Sequence, residues 1–420
     1  MIFLFLFLLS CIIFWWMPYF INIHVGIGRE ISQYTFLVSL FNFLFFSIGY
    51  ITLYFSLKNI RFRPLFFRDY SLRKLSEFTE NLLVLITPIC LIFAIIFFFM
   101  RLGYKYGEGP YMPFIFQVFF YLQIFLYFVY ATTIDITNYK QKKFILLTIF
   151  FVLTRLIVSL QWGRLFLAYS IVPLFILLLA RGIIRLTFKN IVVALGLFLV
   201  LLFAIPFFRG DFSKIQGNSI FVEIAYSLAF GGPISLFDEY KYFSYEEIAK
   251  AVGIDPGCNP LLISLTAWLI PYKYLGICTM DIWQAEGRPA TLDRIFAMLE
   301  LGPKTAYETL YGPSSVYFIE LYFAFGENLF IVYLMSALLG GLSAFAYTRL
   351  RYKTLFGVAY LEILLKVLFA PRSNFGQIFE KAIPFAFGVI IILLLISLIN
   401  FLRRLVIVQR NPQSAYSNQF

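Results

Sequence analysis

Charged side chains are scarce in this sequence. They make up 13% of its 420 residues, while 61% of the residues are hydrophobic. Soluble domains are about 25% charged, and a chain with half that share cannot cover a folded surface with groups that water solvates. The composition therefore excludes a soluble globular enzyme and predicts an integral membrane protein. The formal net charge of +12 then reflects cytoplasmic loops rather than a nucleic-acid partner.

Metal-binding residue types are also few. The chain contains one histidine and four cysteines, and neither a C-x-x-C nor an H-E-x-x-H spacing occurs. This excludes structural zinc sites and zincin chemistry, so we predict no metal and no cofactor. Cys258 and Cys278 lie in one long hydrophilic segment, where a disulfide and two separate buried thiols are both open alternatives.

Apolar runs of about 20 residues predict an all-α, polytopic transmembrane bundle. We count ten spans, the first of them uncleaved. They lie near residues 2–17, 35–57, 82–100, 114–135, 144–161, 165–183, 190–208, 328–348, 354–370 and 379–402. Lysine and arginine collect after each even-numbered span, which places both termini in the cytoplasm.

The longest hydrophilic segment, 209–313, then lies on the opposite, extracytoplasmic side. Its turn residues predict short helices, one of them starting with a capping box at Ser244 and Glu247. The run from Ser315 to Thr348 is too long for one span, so we expect a separate interfacial helix before Gly326.

Arginines on the outer side need a reason, because the positive-inside bias disfavours them there. Arg164 lies in the turn between spans five and six, Arg209 ends span seven, and Arg372 lies between spans nine and ten. Arg288 lies in the large loop. Guanidinium groups bind phosphate oxygens bidentately, so converging arginines would suit a lipid-linked phosphate or pyrophosphate. Alternatively, each arginine contacts lipid headgroups or pairs with a loop carboxylate.

Polar residues inside the spans are rare. Arg155 lies deep in span five, where an ionisable group needs a partner or a water-filled cavity, and we predict a substrate-binding role for it. Glu362 and Lys366, four residues apart in span nine, are expected to form an internal ion pair. A proton-driven transporter would need mid-span carboxylates or histidines, and their near absence argues against one.

Four acidic residues of the large loop are candidate general bases. Asp211 is the nearest to the membrane surface in sequence, and the others are Glu223, Asp238 and Glu239. Trp162 and Tyr311 are candidates for stacking on sugar rings, although interfacial anchoring is the commoner use of such residues. Glu320 is a candidate for contacting sugar hydroxyls and equally for capping the core.

This layout resembles the Wzy-type O-antigen or oligosaccharide repeat-unit polymerases. The shared features are basic inner loops, a W-G-R turn at the outer face, one large outer loop late in the chain, and a Y-G-P-S entry into a glycine-rich span. The resemblance implies a GT-C-type glycosyltransferase of the bacterial inner membrane with a periplasmic active site. Arg164, Arg209, Arg288 and Arg372 occupy the family's arginine positions and would bind the pyrophosphates.

The implied substrate is an undecaprenyl-pyrophosphate-linked oligosaccharide, and the implied partners are membrane lipids and a chain-length-determining co-polymerase. The expected divisions are spans one to seven (1–208), the periplasmic loop (209–327), spans eight to ten (328–402) and a cytoplasmic tail (403–420). The related O-antigen ligases use a loop histidine, which this chain lacks, since His24 lies in the first outer loop. A ligase, a lipid-linked oligosaccharide flippase and a structural scaffold remain alternative interpretations.

Overall fold

The structure, a computed structural model, describes residues 1–25, 31–58, 69–102, 110–134, 141–161, 164–184, 187, 233–266, 278, 291–302 and 316–410. Within these ranges every regular element is a helix, which confirms the all-α class. Seven of these helical segments are long and apolar enough to cross a membrane. They are Ile2–Ile23, Gln33–Lys58, Ser71–Met100, Phe114–Thr133, Lys142–Leu160, Leu329–Arg349 and Gly376–Leu402.

The helices are numbered here in chain order. The N-terminal half contains α1 (Ile2–Cys11), α2 (Met17–Val25), α3 (Gln33–Lys58), α4 (Asp69–Met100), α5 (Phe114–Thr133), α6 (Gln141–Gln161) and α7 (Arg164–Ala180). The C-terminal half contains α8 (Pro233–Tyr240), α9 (Tyr245–Ala251), α10 (Pro260–Thr266), α11 (Leu292–Leu301), α12 (Tyr317–Ala324), α13 (Leu329–Arg349), α14 (Gly357–Phe369) and α15 (Ala382–Arg410). A π-helical segment, Ile12–Trp16, joins α1 to α2.

Three of the ten predicted spans differ from the prediction or are not described. The ninth is wrong, because α14 has 13 residues and extends only about 20 Å, against a hydrocarbon core of about 30 Å. The sixth is represented by a shorter apolar helix, Leu167–Ala180. The seventh, 190–208, lies outside the described residues.

The chain forms two compact units. The first comprises Met1–Ile60, Phe175–Arg351 and Tyr360–Ala382, and the second comprises Arg61–Leu174, Tyr352–Ala359 and Ile383–Phe420.

Helices α3 and α13 pack together at backbone distance in the first unit. A Cβ atom on Gly340 would lie 2.0 Å from the carbonyl oxygen of Phe46, and one on Gly49 would lie 1.9 Å from that of Ala337. Small residues allow this approach, which is how helices associate where water provides no hydrophobic driving force. The Ser336 hydroxyl donates to Asn42 Oδ1 at 2.7 Å across the same interface.

Large apolar side chains line the outward faces of the long helices. On α3, Leu37, Phe41 and Ile48 are exposed, and α15 exposes a longer row that includes Leu394. In water such faces would drive aggregation, whereas a bilayer solvates them. The exposed rows therefore agree with a multi-pass membrane protein.

Helix boundaries in the loop segment follow local capping chemistry. The capping box predicted at Ser244 and Glu247 is present at the start of α9. The predicted break before span eight is also confirmed. Helix α12 ends at Ala324, Gly326 has a φ of +61°, and Asn328 caps α13 by accepting hydrogen bonds from the amides of Phe330 and Ile331.

The second unit contains α4, α5 and α6, and Arg155 of α6 lies fully buried inside it. The Arg155 guanidinium donates to the carbonyl of Phe120 at 2.7 Å and to Gln123 Oε1 at 2.8 Å. It also stacks 5.1 Å from the ring centre of Phe151. These contacts join α6 to α5 around a buried cation. The substrate-binding role of Arg155 stays a prediction.

Candidate functional site

Glu320 is the central residue of the candidate site. It lies in α12 among aromatic and aliphatic neighbours, and its side chain is fully buried. Its Oε2 atom accepts a hydrogen bond from the backbone amide of Phe375 at 2.6 Å. The Ser264 hydroxyl is a second hydrogen-bond partner of this carboxyl. Its other oxygen, Oε1, is buried and has no hydrogen-bond partner among the described residues.

Ser264 connects the carboxyl to the turn that follows α14. The amide of Gly376 donates to Ser264 Oγ at 3.0 Å. Because this oxygen accepts from Gly376, its own hydrogen is available for Glu320. A Cβ atom on Gly376 would lie 2.1 Å from the carbonyl carbon of Ser264, so only glycine allows the turn to approach α10 this closely.

Asp293 and Asn374 complete the group, which we call the Glu320 site: Glu320, Ser264, Asp293, Asn374 and the amides of Phe375 and Gly376. Asn374 Nδ2 donates to Asp293 Oδ1 at 2.8 Å. Asn374 is buried, and its Oδ1 atom has no partner among the described residues. The site therefore contains two buried acceptor oxygens, on Glu320 and Asn374, that have no hydrogen-bond partner among the described residues.

The electrostatics of the site favour the protonated form of Glu320. Burial raises the pKa of the Glu320 carboxyl to about 8, and the nearby Asp293 carboxylate adds to the effect, while the hydrogen bonds from Ser264, Phe375 and Gly376 oppose it. A carboxyl with a pKa near the working pH can both accept and release a proton, which is the property required of a general base.

The turn that contributes Phe375 is held by the N-terminal helices. Trp15, in the π-helical segment, is fully buried, and its indole Nε1 donates to the carbonyl of Pro371 at 3.0 Å. The Ser10 hydroxyl donates to the carbonyl of Leu368 at 2.5 Å. Insertion of a π-helical turn is a common way to redirect a side chain near a functional site.

Arg372 ends the 3-10 helix Ala370–Arg372, three residues before Phe375. The structure describes its backbone and not its side chain. The same holds for Arg164, the first residue of α7, which belongs to the second unit. The other predicted positions, Trp162, Arg209, Asp211, Arg288 and Tyr311, lie outside the described residues, as does Glu223.

Asp238, one of the candidate bases, belongs instead to an ion-pair network with Ser32, Thr35 and Lys241. Lys241 Nζ lies 2.5 Å from Asp238 Oδ1 and 2.7 Å from Ser32 Oγ, and the hydroxyls of Ser32 and Thr35 also donate to that carboxylate. Partial burial raises the pKa of Asp238, but the hydrogen bonds from Lys241, Ser32 and Thr35 outweigh it and leave the pKa below its usual value. The network joins α8 to the start of α3, which is a structural role.

Lys241→Met tests this role. The Lys241 side chain is 4% exposed, so its removal leaves the Asp238 carboxylate without its main counter-charge. We expect a loss of about 3 kcal/mol of stability, measured as a lower melting temperature in detergent. Lys250→Met is the matched control, because its pair with Glu246 is well exposed, and it should leave the melting temperature unchanged. Equal losses of melting temperature in the two variants would contradict the structural role of the Lys241–Asp238 pair.

The ion pair predicted for Glu362 and Lys366 is not the one observed. Lys366 Nζ lies 3.7 Å from Glu380 Oε2, so a salt-bridge partner comes from the segment that follows α14. Glu362 Oε1 is buried and accepts no hydrogen bond from the described residues.

No sequence pattern marks Ser264, Asp293 or Asn374 as site residues. Glu320 itself was recognisable as the single carboxylate in the apolar run Tyr317–Ala324, but its candidate role was sugar contact, not proton transfer. Cys258 and Cys278 are joined by a disulfide, which settles the alternatives that the sequence left open.

No family model, curated protein or solved structure is significantly similar to this chain. A functional assignment therefore depends on the chain's own residues.

Proposed function

We propose that the protein is a membrane glycosyltransferase that polymerises polysaccharide repeat units. In the proposed reaction, the growing glycan moves from undecaprenyl pyrophosphate to a hydroxyl of the next undecaprenyl-pyrophosphate-linked repeat unit at the periplasmic face. The observation that carries the proposal is the Glu320 site. Its buried carboxyl has a raised pKa and accepts a hydrogen bond from the amide of Phe375, which follows Arg372 by three residues in the chain. A proton acceptor and a phosphate-binding cation are the two groups that this chemistry needs.

Glu320 is the proposed proton acceptor. The acceptor hydroxyl oxygen forms a bond to the anomeric carbon of the donor glycan while the bond from that carbon to the pyrophosphate oxygen breaks. The hydroxyl proton passes to Glu320 Oε1, the oxygen that the described residues leave without a partner. General-base assistance of this kind contributes about 10²- to 10⁴-fold to the rate.

The arginines are the proposed pyrophosphate-binding residues. The leaving group gains negative charge as its bond to the sugar breaks, and guanidinium groups stabilise that charge without losing a proton. The backbone of Arg372 lies three residues before Phe375 of the Glu320 site. Arg164, Arg209 and Arg288 are proposed to contribute to the same role, with Arg372 as the strongest candidate.

The disulfide supports a periplasmic location of the site. Cys258 precedes α10, the helix that carries Ser264, and is bonded to Cys278. Disulfides persist in oxidising compartments and are rare in the cytosol. A disulfide two residues before α10 therefore favours the outer face for the Glu320 site.

Complementation of a host deletion strain tests the proposal. Surface polysaccharide is displayed on a gel after complementation with wild type, Arg372→Ala, Arg164→Ala, Arg209→Ala or Arg288→Ala. We expect the wild type to restore a ladder and Arg372→Ala to leave a single-repeat band, because uncompensated charge on the leaving group blocks transfer. Arg73→Ala is the matched control, since its side chain is 80% exposed and pairs with Glu77 within one helix.

The band pattern also separates the alternatives. A single-repeat band with well-expressed Arg372→Ala protein supports the polymerase. Loss of all attached repeat units in the deletion strain points to a ligase or a flippase. A ladder that the deletion leaves unchanged contradicts all three functions.

A further inference from the structure

Helix α10 contacts the Glu320 carboxyl directly. Ser264 lies on this helix, is buried, and is hydrogen-bonded to both Glu320 and the amide of Gly376. The Gly376 amide donates to one lone pair of the Ser264 oxygen, and the hydroxyl hydrogen of Ser264 can donate to the carboxylate. A donor fixed in this way holds the carboxyl in one rotamer and leaves Oε1 available.

Asn259 holds the start of the same helix. Its Oδ1 atom accepts hydrogen bonds from the amides of Leu261 at 3.0 Å and Leu262 at 3.2 Å, which caps α10. Its Nδ2 atom donates to the carbonyl of Ala324 at 3.0 Å. Ala324 is the last residue of α12, the helix that carries Glu320. One side chain therefore ties the first turn of α10 to the end of the Glu320 helix.

The disulfide lies immediately before Asn259. Cys258 is buried, and its bond to Cys278 restricts the backbone that enters α10. A helix of seven residues is too short to be stable alone, so its position depends on such tertiary attachments. Within the part of the chain that the structure describes, three such attachments hold α10: the disulfide, the Asn259 bridge and the Ser264 contact.

We propose that Ser264 is a positioning residue that orients the Glu320 carboxyl, and that the Cys258–Cys278 disulfide holds the helix that presents it. This inference builds on the proposed function, because it concerns the same carboxyl. It adds that the activity depends on an intact disulfide located outside the reacting groups.

Carbodiimide labelling of purified protein tests the proposal without any substrate. N,N′-dicyclohexylcarbodiimide modifies carboxyl groups in their protonated form, so the extent of labelling at Glu320, measured by mass spectrometry from pH 5 to 10, reports its protonation. In Ser264→Ala the carboxylate loses a donor, and we expect the labelling midpoint to rise by about one pH unit. The double variant Cys258→Ser/Cys278→Ser should shift the midpoint in the same direction.

Thr266→Ala is the matched control. Its hydroxyl lies on the same helix and donates to the carbonyl of Leu262 at 2.5 Å, away from Glu320. We expect its labelling midpoint to equal that of the wild type, since it removes a hydroxyl from α10 without removing a donor to the carboxyl.

Three outcomes would overturn the proposal. They are an unchanged midpoint in Ser264→Ala, a shift of the same size in Thr266→Ala, and no labelling of Glu320 in the wild type. An unchanged midpoint in the folded double-cysteine variant would overturn the role of the disulfide. These results are independent of polymerisation, so a failure of the proposed function, seen as a normal ladder with Glu320→Gln, would be recognised separately.

Discussion

Glu320→Gln is expected to abolish polymerisation while stabilising the protein at alkaline pH. The amide keeps the shape of the side chain but cannot accept the hydroxyl proton, so we expect the transfer rate to fall at least 100-fold. The measurement is the polymerisation rate of membranes supplied with lipid-linked repeat units. Glu246→Gln is the control, because its carboxylate is exposed and pairs with Lys250 on the surface.

The stability effect has a defined pH dependence. The folded pKa of Glu320, about 8, lies above its value of 4.5 in an unfolded chain. Between these values the folded state binds the proton more tightly, so stability is greatest at low pH and is lost as the pH rises to about 8. The difference corresponds to at most about 5 kcal/mol. Glu320→Gln should therefore raise the melting temperature at pH 9 and leave it unchanged at pH 5.

The wild-type rate should follow the same titration. A general base acts only when deprotonated, so the rate should rise as the pH increases through about 8. A melting temperature that rises equally at pH 5 and pH 9 in Glu320→Gln would contradict the raised pKa. A normal rate in that variant would contradict the catalytic role.

Gly340→Ala and Gly341→Ala should differ sharply although the two residues are adjacent. At Gly340 the added methyl group would lie 2.0 Å from the carbonyl oxygen of Phe46, so α3 and α13 must separate. We expect a loss of about 3 kcal/mol and a low yield of monodisperse protein. At Gly341 the nearest atom is 3.6 Å away, an ordinary contact. Gly341→Ala should keep or slightly raise the melting temperature, because alanine favours the helix.

Size-exclusion profiles and melting temperatures in detergent check this pair. Since both variants make the same chemical change on the same helix, a shared loss of stability would contradict the close approach and point to a general intolerance of side chains there.

Local features of the fold were predictable from the sequence. The capping box at Ser244 and the break at Gly326 depend on residues within one turn of each other, and the structure confirms both. The span prediction failed at α14 because hydropathy measures only whether a segment avoids water. The side chains of this helix are mostly buried by protein. Pro371 is the second residue after its end, where an α-helix cannot readily continue.

The candidate site was predictable only in part. Arg372 and Glu320 stand out in sequence because each places a charge in an apolar context. Their neighbours do not stand out: Phe375 is 55 residues from Glu320 in the chain, and Gly376 is 112 residues from Ser264. No periodicity connects residues at such separations, and serine and asparagine are ordinary loop residues.

The sequence by itself determined that this is an all-helical membrane protein, because composition and apolar run length decide which solvent a chain can use. It also determined where several helices begin and end, since caps act over three or four residues. The tertiary structure alone decided that Glu320 is buried against Ser264 and the Phe375 amide. Burial and hydrogen bonding between distant segments set the pKa of that carboxyl, and they exist only once the helices have packed.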